Sequence, residues 1–287
     1  MVIGVGLLCA TALAGELSLA VEFGVIPDEV NEVARSVVNE PLAYRMKAVS
    51  DPFIGLPYEI DGHGEGADPD SDPPARYDSF DCLTFLEEVL ALALAGDPVS
   101  APMIRRALRY HEGEVRYQSR NHFMLAQWVP RNIEAGFFVD ITHTLGETHR
   151  IEKTVTPQIW QNWAGTAGFQ LGLDELPTGR FGLNVLSLDA AEAAIDQIPA
   201  GAVILTVRQP KDWKPIIISH VGFVIPSVDG QPVKVRHASK MQGGAVRDHT
   251  LEWYIEHMRW YQRAVEGIAV LIPQEQGPRQ VTGSGGF

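Results

Sequence analysis

Cys82 lies in the stretch YDSFDCLTFLEEVLALALAG, where a short polar segment is followed by a strongly apolar one. The apolar residues recur at helical spacing, so the pattern places the thiol at the start of a helix. The positive end of a helix dipole favours the thiolate, which is the form of cysteine that attacks carbonyl groups. A buried cysteine that packs as a small apolar side chain is the alternative. The only other cysteine is Cys9, near the start of the chain.

A thiol nucleophile needs a base within hydrogen-bonding reach, and the base needs a partner that orients it. Two histidines lie on predicted strands of the C-terminal third, His220 in SHVGFV and His237 in VKVRHAS. Alternation along a strand puts His220 on the face of Ile218, Gly222 and Val224. The same alternation puts His237 on the apolar face of its own strand. We therefore expect both imidazoles to face the protein interior from neighbouring strands.

The histidines could also bind a metal, and nine of them are present. His143 and His149 are six residues apart, and His249 and His257 are eight apart. Neither spacing matches the close helical pair of a metalloprotease, so we expect neither a metal nor another cofactor. A serine hydrolase is also disfavoured, because no G-x-S-x-G motif is present and Ser79 lacks that context.

Periodicity predicts the elements that must position these residues. Predicted helices cover 30–38, a short segment ending at residue 49, 82–96, 102–112, 188–197 and 249–259. Short branched runs at 202–207, 216–225, 233–237 and 268–272 predict consecutive antiparallel strands. The segment 53–60 is predicted to be extended, and most of 114–200 has no clear period. Helices followed by strands that close on one core predict an α+β fold.

Charge and the chain ends narrow the class of protein further. The 287 residues carry 23 basic and 36 acidic side chains, a formal net charge of −13, which disfavours nucleic acid and anionic lipid as partners. Residues 1–14 are uncharged and end in a small-x-small pattern, which predicts a signal peptide and export to the periplasm or cell envelope; a buried N-terminal helix is the alternative. No segment of the mature chain is predicted to enter a membrane. Residues 27–273 are predicted to form one domain, with a surface loop at 61–76 and a disordered tail at 274–287.

Seven motifs occur along the chain in the order FIGLPY, FDCLTFLEEVLALAL, YQSRNHF, VDIT, GAVILTV, SHVGFV and HAS. In this order they resemble the N-acetylmuramoyl-L-alanine amidase-like family, a branch of the NlpC-type papain-like cysteine cell-wall hydrolases. D-C and S-H-V-G are typical of the wider superfamily, whereas S-R-N-H followed by the aromatic Phe123 marks the narrower branch. The resemblance covers roughly 27–273 and implies a papain-like NlpC-type fold, with N-terminal helices packed on a C-terminal antiparallel sheet.

The resemblance also implies roles for individual residues. Cys82 would be the nucleophile, His220 the base, and His237 the residue that orients His220. The implied substrate-binding residues are Tyr58, Asp81, Arg120, His122 and Ser219.

Several of these residues also have a structural interpretation. Asp81 fits a helix N-cap as well as a substrate contact. Tyr58 could be a core aromatic, Arg120 a solvated arginine, and His122 an ordinary loop histidine. The polar segment RQPKDWKP at 208–215 flanks the predicted site, so we expect it to affect substrate access.

The implied activity is that of a cysteine amidase, which hydrolyses the N-acetylmuramoyl-L-alanine amide of peptidoglycan fragments through a thioester. One alternative is a γ-D-glutamyl-diamino acid endopeptidase with the same triad, which would cut a different bond. The other is a non-catalytic envelope protein that binds muropeptides. The oligomeric state is not indicated by any of these features.

Overall fold

The computed structural model describes residues 26–60, 75–96, 98–169, 171–227, 230–260 and 264–275. The helices in these ranges are α1 (Asp28–Ser36), α2 (Leu42–Ser50), α3 (Cys82–Ala95), α4 (Ala101–Arg109), α5 (Val129–Glu134), α6 (Pro157–Asn162), α7 (Leu188–Ala193) and α8 (Leu251–Trp260). A π-helical turn, Met124–Trp128, leads into α5. The helices predicted from periodicity are confirmed, with ends that differ by a few residues.

The strands are β1 (Phe138–Asp140), β2 (Thr148–Val155), β3 (Gly179–Ser187), β4 (Val203–Arg208), β5 (Ile218–Ile225), β6 (Lys234–Ser239), β7 (Ala245–Thr250) and β8 (Val265–Pro273). They form one eight-stranded sheet in the order β2-β3-β8-β4-β5-β6-β7, with β1 paired to β8. Every pairing between these strands is antiparallel. The predicted α+β class is therefore confirmed.

The sheet is covered on both faces. Helix α3 packs against β5 and β6, and the ring of Phe85 stacks on that of Phe223 with centroids 5.9 Å apart. On the opposite face, Tyr254 of α8 belongs to a second apolar core with Val224 and Val235. The predicted packing of N-terminal helices on the sheet is therefore correct for the face that α3 covers. The opposite face is covered by α7 and α8, which come later in the chain.

Helix α3 is capped at both ends. The Asp81 side chain accepts hydrogen bonds from the N–H groups of Leu83 and Thr84, and Thr84 reaches back to the N–H of Asp81, which completes a capping box. Gly96 ends the helix in the left-handed conformation, with φ of 63°. Because almost every side chain between these ends is buried, the apolar sequence holds the first turn of α3 firmly against the sheet.

Two buried ion pairs join α3 to α4. Arg109 donates to the Glu87 carboxylate at 2.9 Å, and Arg105 donates to the Glu88 carboxylate at 3.2 Å. The indole N–H of Trp128 also donates to Glu87, at 2.9 Å. Removing one partner would leave an uncompensated buried charge, so these pairs constrain how α4 docks on the helix that carries Cys82.

The predicted set of strands was incomplete. Strands β1, β2 and β3 lie in the segment that had no clear period, and β7 was not predicted, so the sheet is not confined to the C-terminal third. The segment predicted to be extended begins with a 3₁₀ turn, Asp51–Phe53, and then forms isolated bridges from Pro57 and Tyr58.

Three predictions fall largely on residues outside the described ranges: the signal peptide at 1–14, most of the loop at 61–76, and most of the tail at 274–287. Among the residues that are described, no helix has the length and apolarity needed to span a bilayer. The same residues contain no cluster of three or more histidine, cysteine or acidic side chains suited to a metal ion.

Candidate active site

Cys82 is the first residue of α3 and is half-buried. Burial raises the pKa of its thiol to about 12, and the negative charge of Asp81 acts in the same direction. Hydrogen bonding by the backbone of Val221, Cys82 and Leu83 opposes this shift but does not reverse it. Burial and the charge of Asp81 therefore favour the neutral thiol, against the thiolate that the helix dipole favours.

The capping geometry of Asp81 explains why the helix dipole does not dominate. One carboxylate oxygen of Asp81 lies 2.8 Å from the N–H nitrogens of both Leu83 and Thr84. These N–H groups carry the positive partial charge of the helix end, so the carboxylate offsets the potential that would stabilise a thiolate. The N-cap interpretation of Asp81 is confirmed, and Asp81 is also among the residues that line the cavity beside Cys82.

His220 and His237 are brought together by the antiparallel neighbours β5 and β6. Nε2 of His220 lies 2.6 Å from Nδ1 of His237, and the rings meet edge to face with centroids 4.9 Å apart. His237 is fully buried, whereas His220 is half-buried. The expectation that both imidazoles face the interior from neighbouring strands is confirmed.

A β-bulge determines which way His220 points. On the β4 side, Thr206 pairs with His220 and the next residue, Val207, pairs with Ile218, so Ser219 is the extra residue of β5. As a result, Ile218 packs in the core beneath α3, whereas Val224 packs beneath α8. The expectation that His220 shares a face with Ile218 is wrong, because the bulge interrupts the alternation. Bulges beside functional sites commonly re-aim one side chain in this way.

A third histidine extends the pair. Nε2 of His237 lies 2.9 Å from Nδ1 of His249 on β7. The ring of His249 stacks on Trp253 of α8, with centroids 4.1 Å apart and planes 16° apart. The sequence drew attention to His249 only as a possible metal ligand. Its alignment with His237 depends on the β6–β7 register, and β7 was not predicted.

The hydrogen bonds among the three histidines constrain their neutral tautomers. If Nδ1 of His220 is to accept a proton, its other nitrogen must carry the hydrogen and donate to Nδ1 of His237. His237 then carries its own hydrogen on Nε2 and donates to Nδ1 of His249. The catalytic direction of the chain therefore requires the Nε2–H form in all three imidazoles, which leaves Nδ1 of His220 as a base. The reverse direction, with every hydrogen on Nδ1, satisfies the same contacts but leaves His220 without a free acceptor at Nδ1.

The electrostatic environment keeps these imidazoles neutral. Burial lowers the pKa of His220 to about 4, and the positive charge of Arg208 adds to the effect. Burial also lowers the pKa of His237, with further contributions from His220, His249 and His257. These directions favour a neutral thiol and a neutral base over a thiolate–imidazolium ion pair.

Tyr254 of α8 supports the paired histidines from the opposite side. Its ring lies 5.3 Å from that of His237 and 6.3 Å from that of His220, centroid to centroid. The Tyr254 hydroxyl hydrogen bonds with the hydroxyl of Thr206 at 2.7 Å. These contacts fix α8 against both imidazoles, and nothing in the sequence around Tyr254 signalled this role.

Two cavities meet at the half-buried Tyr58, which lines both. The first, here called the thiol cavity, has a volume of about 250 Å³ and is lined by Cys82 and Asp81 among others. The second, the histidine cavity, has a volume of about 200 Å³ and is lined by His220 and Ser219 among others. Tyr58 is therefore not a simple core aromatic, because it lines both the cavity of the thiol and the cavity of the base.

Arg120 and His122 both line the thiol cavity. Arg120 is only 3% exposed, so the solvated arginine that the sequence allowed is excluded. Nε2 of His122 lies 2.7 Å from the carbonyl oxygen of Tyr117, and its ring packs against that of Phe169 at 5.8 Å. Both side chains are held by surrounding structure, which is typical of positioned binding groups.

Ser219 lies at the bulge and lines the histidine cavity, where its hydroxyl is 3.5 Å from the carbonyl oxygen of Thr206. The polar segment predicted to flank the site contributes Arg208 to this cavity. The eight sequence-predicted site residues therefore line one of the two adjoining cavities, except His237, which lies behind His220.

Comparison with known proteins gives a family. A family model named AmiA-like and described as N-acetylmuramoyl-L-alanine amidase-like matches residues 48–261. A search of curated proteins found no match.

Solved structures share the fold. A protein of Legionella pneumophila str. Philadelphia 1, assigned to the DUF1460 family, is 24% identical with a TM-score of 0.75, covering 92% of this chain and 98% of that one. An N-acetylmuramoyl-L-alanine amidase from Bacteroides uniformis is 20% identical with a TM-score of 0.64, covering 81% and 99%. A Bacteroides fragilis protein provisionally described as a xylanase is 20% identical with a TM-score of 0.61, covering 77% and 97%. At these sequence identities, structural similarity shows only a shared fold. The family model shows the family, because it matches most of the sequence. The chain belongs to the N-acetylmuramoyl-L-alanine amidase-like family.

Proposed function

We propose that the protein is a cysteine amidase that hydrolyses the amide between N-acetylmuramic acid and L-alanine in peptidoglycan fragments. The observation that carries the proposal is the hydrogen-bonded pair of His220 and His237 next to the thiol of Cys82. The backbone of Val221, the residue after His220, hydrogen bonds with that thiol. A thiol at a helix start beside a strand-borne histidine pair also supports placing the fold in the NlpC-type papain-like group.

The first half of the reaction forms a thioester. The Cys82 sulfur attacks the lactyl carbonyl carbon while Nδ1 of His220 takes the thiol proton, since burial favours the neutral form of both groups. The backbone N–H of Cys82 in the first turn of α3 stabilises the oxyanion. The C–N bond then breaks, and His220 returns the proton to the nitrogen of L-alanine, which leaves as an amine.

The second half releases the sugar. A water molecule gives a proton to Nδ1 of His220 and attacks the thioester carbonyl carbon. The C–S bond breaks, the lactyl carboxylic acid forms, and the proton returns to the sulfur of Cys82. Throughout both halves, His237 accepts the Nε2–H of His220 and so holds that ring in the tautomer the reaction needs.

The remaining predicted residues bind substrate in this proposal. Asp81, Arg120 and His122 contact the part of the substrate that occupies the thiol cavity. Ser219 contacts the part in the histidine cavity, and Tyr58 packs against the scissile region where the cavities meet. The predicted export of the chain would bring it to the cell envelope, where such fragments arise.

One observation favours a second activity. The carboxylate of Asp81 lines the thiol cavity and could accept the ammonium group of a free stem peptide. In that case the same three residues would cut the γ-D-glutamyl-diamino acid bond, with the dipeptide as the acyl group.

Defined muropeptides distinguish these activities. The purified protein is incubated with N-acetylmuramoyl peptides and with free stem peptides, and products are identified by mass spectrometry. We expect release of a peptide with a free L-alanine amino group from the sugar-bearing substrates. Release of a diamino-acid amino terminus instead would support the endopeptidase.

A nucleophile variant tests the chemistry itself. Cys82→Ala should abolish product formation, while His143→Gln, a change at an exposed histidine outside the site, should retain it. If wild type and Cys82→Ala give the same products at the same rate, the enzyme proposal is overturned, and the non-catalytic binding alternative should be tested by titrating muropeptide into the wild-type protein.

A further inference from the structure

The two cavities differ in the charge of their walls. The thiol cavity contains acidic as well as basic side chains, with Asp81 and Glu87 alongside Arg109 and Arg120. The histidine cavity contains Arg208, Lys240 and His257, and no aspartate or glutamate is found among its described lining residues. This is unexpected for a chain whose formal net charge is −13. Because a cleft focuses the field of the charges that line it, the histidine cavity is suited to an anionic ligand.

The cationic side chains converge on the reaction centre. The Lys240 ammonium lies 5.8 Å from the ring centroid of Tyr58, the residue shared by both cavities. The positive charge of Arg208 is close enough to His220 to lower the pKa of that imidazole. A carboxylate bound by these cations would therefore lie in the histidine cavity, beside His220 and Tyr58.

The proposed chemistry assigns the two parts of the substrate to different sides. The acyl group becomes attached to Cys82, which lines the thiol cavity. The leaving amine receives its proton from His220, which lines the histidine cavity. For an N-acetylmuramoyl-L-alanine bond, the acyl part is an uncharged sugar, whereas the leaving part is a peptide that carries several carboxylates. The mixed charge of the thiol cavity suits the uncharged sugar, and the positive charge of the histidine cavity suits the acidic peptide.

We propose that the histidine cavity binds the carboxylate-bearing peptide that leaves as the amine, with Arg208 and Lys240 as its ionic contacts. This inference rests on the proposed amidase function, because that function sets which part of the substrate leaves. It specifies the substrate class further: the site should prefer peptides whose carboxylates are free over peptides whose carboxylates are amidated.

Binding of the product peptide tests the inference without catalysis. The Cys82→Ala protein is titrated by calorimetry with L-Ala-γ-D-Glu-diaminopimelate and with the same peptide fully amidated at its carboxylates. We expect the acidic peptide to bind, and amidation to weaken binding by about tenfold or more, since hydrogen bonds to charged groups are the stronger class. Failure of the acidic peptide to bind, or equal binding of both peptides, would overturn the inference.

Charge variants locate the contacts. In the Cys82→Ala background, Arg208→Gln and Lys240→Gln should each weaken binding of the acidic peptide and leave the amidated peptide unaffected, whereas Arg208→Lys should retain most of the binding. Lys234→Gln is the matched control, because it removes the same charge from an exposed position on β6 outside the cavity. If Arg208→Gln fails to fold, the exposed Lys240 decides the question alone. Acidic-peptide affinity that is unchanged by Lys240→Gln would contradict the proposal, whereas retained affinity in Arg208→Lys is the expected result.

The two proposals fail in distinguishable ways. If wild type cleaves muropeptides but the charge variants bind the acidic peptide as tightly as the control, the amidase function stands and the cavity assignment is lost. If no muropeptide is cleaved while peptide binding still depends on Arg208 and Lys240, the cavity is an anionic-peptide site and the amidase function is lost.

Discussion

The two sides of the site are built in different ways. The thiol side is local: Cys82, its N-cap Asp81 and the capping partner Thr84 all lie within four consecutive residues at the start of α3. The histidine side is assembled from β5, β6, β7 and α8, and its key contacts join residues 12 or more positions apart. The thiol side is therefore set by one helix start, whereas the histidine side exists only when the sheet is complete.

The two sides also differ in their electrostatic design. On the thiol side, a carboxylate at the helix end and burial both raise the pKa of Cys82. On the histidine side, burial and a nearby arginine lower the pKa of His220. Both effects oppose charge, so they favour a nucleophile and a base that are neutral until a substrate arrives. The helix dipole alone therefore does not predict a thiolate when the N-cap is an aspartate.

The largest expected effect is the loss of the base. His220→Gln removes the only proton acceptor that we place beside the thiol, so kcat/KM for muropeptides should fall by about 10²–10⁴-fold. The measurement is steady-state kinetics against wild type, with His143→Gln as a histidine control away from the site. A fall below about tenfold would contradict the role of His220.

Loss of His249, the outermost of the three hydrogen-bonded histidines, should lower kcat/KM less than loss of His220. His249→Ala removes the acceptor of the Nε2–H of His237, which weakens the tautomer preference passed on to His220, so kcat/KM should fall by about tenfold. His249→Asn places an amide oxygen near the position of Nδ1 and should restore part of the activity. Equal activity of the alanine variant and wild type, or equal loss in both variants, would show that His249 does not orient the pair.

Acid should lower the free energy of unfolding through the buried histidines. The pKa values of His220, His237 and His249 are all lowered in the folded protein, so below about pH 6.5 the unfolded chain binds more protons. Stability is therefore full above this pH and is lost as the pH falls towards about 4, the folded pKa of His220. Each such imidazole contributes a slope of about 1.4 kcal/mol per pH unit at most.

Urea denaturation at about pH 7.5, 6 and 5 checks this expectation, because the window lies above the range in which carboxylates titrate. His237→Asn should flatten the slope, whereas His143→Gln should not. A free energy of unfolding that is constant across the window would show that the buried imidazoles do not control acid stability.

The smallest expected effect concerns the N-cap. Asp81→Asn keeps an oxygen that accepts from Leu83 and Thr84 but removes the negative charge that raises the pKa of Cys82. The variant should therefore be alkylated by iodoacetamide several-fold faster than wild type near pH 8, because more of its thiol is ionised. Asp81→Ala is the control for loss of the cap, which should lower stability by about 1 kcal/mol. Slower alkylation of the asparagine variant than of wild type would contradict the electrostatic role of Asp81.

The sequence predicted the helices, the α+β class and the location of His220 and His237 on strands because each depends on short-range patterns. Alternation failed at Ser219, since a bulge is set by how two strands pair and not by the residues of one strand. Strand β7 and His249 were missed because AVRDHT is mixed in polarity, and its strand conformation depends on pairing with β6. Strand β2 was missed for a similar reason, because it is mixed in polarity and partly exposed. Strand β3 does alternate, with Phe181, Leu183 and Val185 two residues apart, so this apolar repeat could have predicted it.

Taken alone, the sequence determined that a capped apolar helix begins at Cys82 and that two histidines lie on strands that follow it, because capping and periodicity act over a few residues. Tertiary structure decided that the neutral thiol is favoured, that His249 extends the histidine pair, and that cations gather in one cavity. Burial, charge proximity and strand register are properties of residues distant in sequence, so these features arise only when the helix and the sheet pack together.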